Sequence, residues 1–330
     1  METQPAEKQA QAFRWCFIGT GKLAHQVAAE IVKSGRHEIV SVYSRRIESA
    51  KEFAAQFGGK ATDSAAEAIT TQDVDGVYVV TPHNAHYPYV KQALELGKPV
   101  LCEKAFTTDA KQARELFALA EEKGLYLVEA MWTWFSPVAN KVKEWLDSGE
   151  IGEILRVKTN YHLDVRKYAD RLTDPKRAGG ALLDSGVYPI TYLYRLFGKP
   201  VSVVCKGVLK DGIDTEENVD LSFANGRTYR ASISIHDWWG LEKFAVVGTK
   251  AKISVPWFHS AKKAKLKRKH GPGETFAGKG SYLNEFDLVA KEIRSGKTES
   301  SYVPGQATIE VLEIMDECRK QMGLVYPFET

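Results

Sequence analysis

The chain reads as a doubly wound α/β domain followed by an α+β domain, and three observations carry that reading. Apolar strand-like runs alternate with segments of helical periodicity up to about residue 130. The first run, Phe13–Ile18, passes straight into Gly19-Thr20-Gly21-Lys22-Leu23-Ala24 and then a helix. Beyond Trp132 the alternation stops and strands succeed one another. Strand–helix alternation builds βαβ units with a parallel sheet covered on both faces, whereas apolar/polar alternation along successive strands marks an antiparallel sheet with unequal faces. A length of 330 residues suits two such domains.

In order, the first half predicts a strand at Phe13–Ile18, a helix from Leu23 to Ser34, and a strand at Glu38–Tyr43. A helix from Ile47 to Phe57 comes next, then a strand at Val77–Val80 that reaches Thr81-Pro82. A helix from Tyr87 to Leu96 leads to Val100-Leu101-Cys102-Glu103-Lys104-Ala105. There an apolar strand ends abruptly in a carboxylate and an ammonium. A buried strand gains nothing from charges at its tip, and the carboxyl end of a parallel strand is where open α/β sheets place ligand chemistry. A helix from Asp109 to Lys123 and a strand at Leu125–Glu129 complete this half.

After a helix from Pro137 to Leu146, strands are expected at Ile154–Leu163, Val201–Val208, Val219–Phe223, Thr228–His236, Glu242–Val247 and Ala251–Val255. Helices are expected at Ala181–Phe197, Tyr282–Arg294 and Thr308–Met322. The division is residues 1–12 as a flexible arm, 13–131 as a dinucleotide-binding domain, and 132–330 as a second domain. There is no internal repeat.

Composition excludes several classes. Hydrophobic content of 44% and charged content of 26% belong to a globular chain rather than a disordered or membrane-embedded one. A net charge of +3, dispersed along the sequence, supplies no field for nucleic acid or an anionic membrane. The run Lys262–Lys269, KKAKLKRK, reads as the solvated face of an exposed strand whose lysines blunt a sheet edge. No apolar run is long enough to span a bilayer, and Met1–Gln11 lacks a signal core. Cys16, Cys102, Cys205 and Cys318 show no metal or redox spacing. A cytoplasmic protein is expected.

The glycine loop carries the first chemistry. Gly19 permits a tight turn, Gly21 lets the backbone approach a pyrophosphate, and Ala24 keeps helix and sheet close. Thr20, Lys22 and Leu23 complete a loop whose helix offers unpaired N–H groups to phosphate. A lone G-x-G-x-x-A is weak, but here it follows a strand, opens a helix and heads a βαβ series. Where NAD-binding chains commonly place an acid after the second strand, this one has Ser44-Arg45-Arg46. Arg45 suits a 2′-phosphate and Ser44 can hydrogen-bond it, so NADP is expected, with NAD as the weaker alternative.

With the glycine loop, Thr81-Pro82-His83-Asn84-Ala85-His86 and Glu103-Lys104 in sequence, the chain resembles the glucose–fructose oxidoreductase/inositol dehydrogenase (Gfo/Idh/MocA) family. Glu129-Ala130-Met131-Trp132-Thr133, the Gly179–Tyr188 segment GGALLDSGVY and Val247-Gly248-Thr249-Lys250-Ala251 extend the resemblance toward its dihydrodiol and NADP-linked xylose dehydrogenase branch.

The resemblance implies a Rossmann domain and a C-terminal domain with a large, mainly antiparallel, open-faced sheet. That sheet's outer face would join subunits into a homodimer or dimer of dimers. It implies Lys104 as the catalytic lysine, Glu103 positioning the nicotinamide, and Thr81, His83 and His86 at the cofactor, with ordinary helix capping as the histidines' alternative. It also implies Asp184 and Tyr188 facing the site, and Trp132 as a pocket wall or a domain-junction aromatic. His162, at the end of a predicted strand, is a further candidate for the substrate pocket. No metal is expected, since His83 and His86 lack a third ligand.

Asp184 and Tyr188 are four apart, so a helix presents both on one face. A tyrosine hydroxyl beside a lysine ammonium can move the proton that accompanies hydride transfer at a carbonyl or hydroxyl carbon. Relatives usually read Glu-Lys-Pro with a cis bond, whereas this chain has Ala105, which leaves the geometry of Lys104–Ala105 open. The expected activity is reversible NADP-linked oxidation of a sugar, polyol or vicinal diol. The alternative is a dinucleotide sensor of the same fold. Trp238-Trp239 is assigned to core or subunit interface.

Overall fold

The structure, a computed structural model, describes residues 11–164 and 171–329. Most of the expected N-terminal arm lies outside those residues, as do the side chains of Trp238 and Trp239. Six strands form the first sheet: β1 (Phe13–Ile18), β2 (His37–Tyr43), β3 (Lys60–Thr62), β4 (Gly76–Val79), β5 (Val100–Glu103) and β6 (Leu127–Ala130). Their order is β3-β2-β1-β4-β5-β6, and every pairing is parallel. Both faces are covered, by α1 (Lys22–Lys33), α2 (Ile47–Phe57), α3 (Ala65–Ile69), α4 (His86–Glu95) and α5 (Ala110–Lys123). That is why β1, β4, β5 and β6 are buried almost throughout. The strand order reverses between β1 and β4, which opens a crevice at their carboxyl ends beside Gly19 and Thr81.

After a one-turn helix at Trp132–Phe135 and α6 (Pro137–Asp147), the chain builds a second sheet. Its strands are β7 (Ile154–Asp164), β8 (Ser202–Lys210), β9 (Ile213–Ser222), β10 (Thr228–Ser234), β11 (His236–Gly248), β12 (Ala251–Pro256), β13 (Lys263–Arg268) and β14 (Glu274–Ala277). The order is β14-β13-β12-β11-β7-β10-β9-β8, antiparallel except for β7 beside β10. Alternation follows the pleat: Val157, Thr159 and Tyr161 of β7 are buried, while Lys158 is exposed on the other face. The helix α7 (Val187–Phe197) packs on the buried face. The last helices, α8 (Tyr282–Arg294) and α9 (Gly305–Met322), return to the first sheet. Phe286 meets Trp15 and Tyr78 at ring-centroid distances of 4.9 and 5.1 Å. Thr308 donates to the buried Glu129 at 2.9 Å.

Four local differences from expectation have physical reasons. The sequence pattern leaves the segment holding β3 and α3 as connection, because elements of three and five residues are too short to show periodicity. β9 begins at Ile213 rather than Val219, its first half disguised by the acidic Asp214-Thr215-Glu216-Glu217. The lysine run does form a strand with alternating burial, Ala264 and Leu266 inward, but β14 pairs outside it, so it is not the edge. The helix expected from Ala181 opens with a wide π-turn over Leu182–Gly186 before α7.

Candidate active site

Two poles of chemistry stand at carboxyl ends of the first sheet, one after β1 and one after β5. The first is the glycine turn. Gly19 has φ +118°, and a Cβ there would stand 2.5 Å from the Val80 carbonyl oxygen, so only glycine fits. Gly21 caps α1 without a side-chain hydrogen bond, there is no acidic residue in the first turn, and a Cβ on Gly21 would meet nothing within 4 Å. The N–H groups at Lys22 and Leu23 therefore head an uncapped helix beside open space. Next to it the Thr81 hydroxyl is buried with no hydrogen-bond partner among the described residues. Ser44 is half-buried, its N–H donating to Thr62 O at 3.3 Å. Arg46 is tied to Ser49 at 3.0 Å, whereas the exposed Arg45 makes no hydrogen bond or ion pair with a described residue. Open space, uncapped donors and an unspent arginine are what a 2′-phosphorylated dinucleotide would require of this pole.

The second pole is built at the end of β5. Glu103 is buried and accepts from the Tyr78 hydroxyl at 2.6 Å and from Lys104 N at 3.3 Å; burial pushes its carboxyl up. The Lys104–Ala105 peptide is cis. His86 lies behind this turn, its ring nitrogens 2.8 Å from Thr81 O, 3.0 Å from Ala105 O and 3.2 Å from Phe106 O. Burial pushes the imidazole down to about 4. His83 is also buried, with Nδ1 3.3 Å from Ala178 O. His86, expected at the cofactor border, is instead fully buried among the main-chain carbonyls around the Lys104 turn, and its neutral ring can donate its one N–H to only one side of them.

From the second half, the π-turn and the start of α7 bring Asp184 and Tyr188 to Lys104. Lys104 Nζ donates to Asp184 O at 2.8 Å, lies 3.3 Å from Asp184 Oδ1, and sits 4.7 Å from the Tyr188 ring centre. Arg171 donates to the same Oδ1 at 2.6 Å. Burial alone would raise the Asp184 carboxyl, but the Lys104 and Arg171 charges overcome it and hold the group well below the usual carboxylate range. Burial, reinforced by Tyr161, Glu103 and Asp184, pushes the Tyr188 phenol well above its ordinary value. Tyr188 therefore rests as a neutral acid.

The cleft wall is aromatic. Trp132 stacks on Tyr282 at 5.4 Å and meets His259 at 5.9 Å. Tyr161 and His259 each lie 5.5 Å from the Tyr188 ring. His162 does not join them. Adjacent strand residues point to opposite faces, and with Tyr161 facing Tyr188, His162 faces outward to Asp237 at 2.9 Å and Ser232 at 3.0 Å. Sequence reading missed Tyr161, His259 and its partner Glu242. Strand parity could have exchanged Tyr161 for His162, but nothing local marks His259.

Known proteins share this fold. Residues 13–130 match the model of an oxidoreductase family with an NAD-binding Rossmann fold, and residues 139–254 match the GFO/IDH/MocA C-terminal domain. The chain is 32% identical to D-xylose 1-dehydrogenase (NADP(+)) of Hypocrea jecorina, over 95% of this chain and 93% of that protein. It is also 32% identical to trans-1,2-dihydrobenzene-1,2-diol dehydrogenase of Mus musculus, over 96% and 98% respectively. Among solved structures, a 3-ketoreductase from Actinomadura kijaniata in complex with NADP and TDP-benzene superposes with a TM-score of 0.86 at 24% identity. That match covers 94% of this chain and 98% of that one.

Proposed function

The chain belongs to the GFO/IDH/MocA oxidoreductase family, and we propose that it transfers hydride reversibly between NADP and a hydroxyl or carbonyl carbon of a sugar, polyol or vicinal diol. One observation carries the reading. Lys104 at the end of β5 meets Asp184 and Tyr188, and an uncapped, unobstructed helix N-terminus heads α1 in the same sheet domain. The two dehydrogenase relatives, named for an aldose and a vicinal diol, narrow the substrate class.

When bound, the nicotinamide supplies or accepts the hydride; the residues do the rest. The Gly19–Leu23 backbone would hold the pyrophosphate, Ser44 and Arg45 the 2′-phosphate, and Glu103 would orient the nicotinamide end. Tyr188, neutral at rest, is the group that gives a proton to the carbonyl oxygen in reduction and takes it back in oxidation. The Lys104 ammonium against its ring stabilises the phenolate formed when that proton leaves. Asp184, ionised under its two cations, keeps Lys104 aimed at the ring.

The test is nicotinamide absorbance with NADP or NADPH and a panel of aldoses, polyols, vicinal diols and their carbonyl counterparts. Turnover on at least one class with preference for NADP is expected. Tight NADPH binding without turnover across the panel would replace this reading with a dinucleotide sensor.

A further inference from the structure

His259 is a residue for which the fold makes unusual provision. It stands on a one-turn helix, Phe258–Ser260, just after β12. The Glu242 side chain is buried and grips the histidine twice, accepting its main-chain N–H at 2.5 Å and contacting the ring Nδ1 at 2.6 Å. The Glu242 carbonyl also accepts from Trp257 N at 3.1 Å, which pins the turn that leads into His259. A buried carboxylate is expensive, and an apolar pair would hold a turn to a sheet at lower cost. Here both oxygens of that carboxylate are spent on one residue, the main chain and the ring of His259, whose side chain is itself 26% exposed.

The orientation has a chemical consequence. A carboxylate only accepts, so a ring hydrogen sits on Nδ1; with that one hydrogen on the ring, Nε2 is left as an acceptor. Nε2 makes no hydrogen bond to a described residue. The ring packs against Tyr188, Tyr161 and Trp132, at 5.5, 5.1 and 5.9 Å between centroids. The Tyr188 ring thus has Lys104 against it and His259 beside it.

We propose that His259 reads a second hydroxyl of the substrate, the one on the carbon next to the reacting carbon, and so selects vicinal diols and aldoses over simple alcohols and aldehydes. This rests on the oxidoreductase reading above and deepens it. The reacting oxygen goes to Tyr188 and Lys104; the neighbouring hydroxyl donates to Nε2, whose tautomer Glu242 holds. Aromatic walls alone reject a missing hydroxyl weakly, whereas a placed acceptor left unpaired rejects it strongly.

The experiment compares substrate pairs that differ by that one hydroxyl: D-xylose with 2-deoxy-D-xylose, and trans-cyclohexane-1,2-diol with cyclohexanol. The wild-type protein should prefer the hydroxylated member of a pair by about tenfold or more in kcat/KM. His259→Leu should bring that ratio close to one, chiefly through KM, while His259→Gln, which keeps an acceptor, should restore most of it. An unchanged ratio in His259→Leu overturns the proposal, as does equal loss on both members of each pair.

Calorimetric binding of the same compounds to the NADPH-loaded protein separates this from the broader reading. Discrimination in binding that disappears in His259→Leu, without turnover in the wild type, sustains His259 and overturns the oxidoreductase reading. Equal binding of the paired compounds by the wild type, or binding of none, overturns the proposal for His259.

Discussion

Two glycine turns lead into helices of the candidate site, and they are finished in opposite ways. At Gly19–Gly21 the helix begins with no side-chain cap and open space above it. At Gly179–Gly180 the entry is closed from within: Asp214 Oδ2 accepts the Leu182 N–H at 2.5 Å, and a Cβ on Gly180 would stand 2.0 Å from Asp214 Oδ1. A helix N-terminus saturated by its own protein cannot serve an external anion, and one left open is a poor anchor. The first turn suits receiving a ligand. The second suits holding Asp184 and Tyr188 still.

Substitution should separate the two. Gly180 has φ +123°, so Gly180→Ala combines a strained backbone with a collision against a buried carboxyl. It should remove roughly 3 kcal/mol or more of stability, read as a lowered urea midpoint. An unchanged midpoint would mean that the closed turn is not rigid.

The buried pole should also be sensitive to pH. Glu129 accepts from Phe106 N, just beyond the Lys104 turn, and from Thr308 of α9, and burial raises its carboxyl to about 7. A raised folded-state value favours the protonated form. The contribution is therefore complete below the ordinary value near 4.5 and is lost as pH rises through about 7, on the order of 3 kcal/mol in all. Glu129→Gln should flatten melting temperature against pH across that window; a decline as steep as the wild type's would assign the sensitivity elsewhere.

The open pole should answer in affinity instead. A Cβ at Gly21 meets nothing in the protein, so in Gly21→Val stability should hold while NADPH affinity, followed by fluorescence titration, falls about a hundredfold. Loss of folding with retained affinity would invert the comparison. Arg45→Ala should have the smallest effect, about tenfold for NADPH and little for NADH. Equal changes would remove Arg45 from cofactor choice.

What could be read beforehand follows the same division. The glycine loop, the charged end of β5 and the Asp184/Tyr188 spacing are local patterns, and the fold brings the last two together at Lys104. Residues whose placement depends on long-range register were not legible. Tyr161 and His162 differ only in strand parity, which the pairing of β7 with β10 and β11 decides. His259 reaches Tyr188 only because Glu242, opposite Tyr161 on the neighbouring strand, holds it there. Likewise Asp214 lies in an acidic stretch that looks like a loop, until β8 and β10 enclose it. The fold class needed only periodicity; the cleft's far wall needed the assembled sheet.

The central claim is that Tyr188, with Lys104 against its ring, moves the proton at the reacting oxygen. Tyr188→Phe deletes one hydroxyl and keeps the ring that Lys104, Tyr161 and His259 pack on. On whichever substrate the panel identifies, kcat should fall about 10²–10⁴-fold with NADPH affinity within about twofold of the wild type. Turnover close to the wild-type rate would contradict the account.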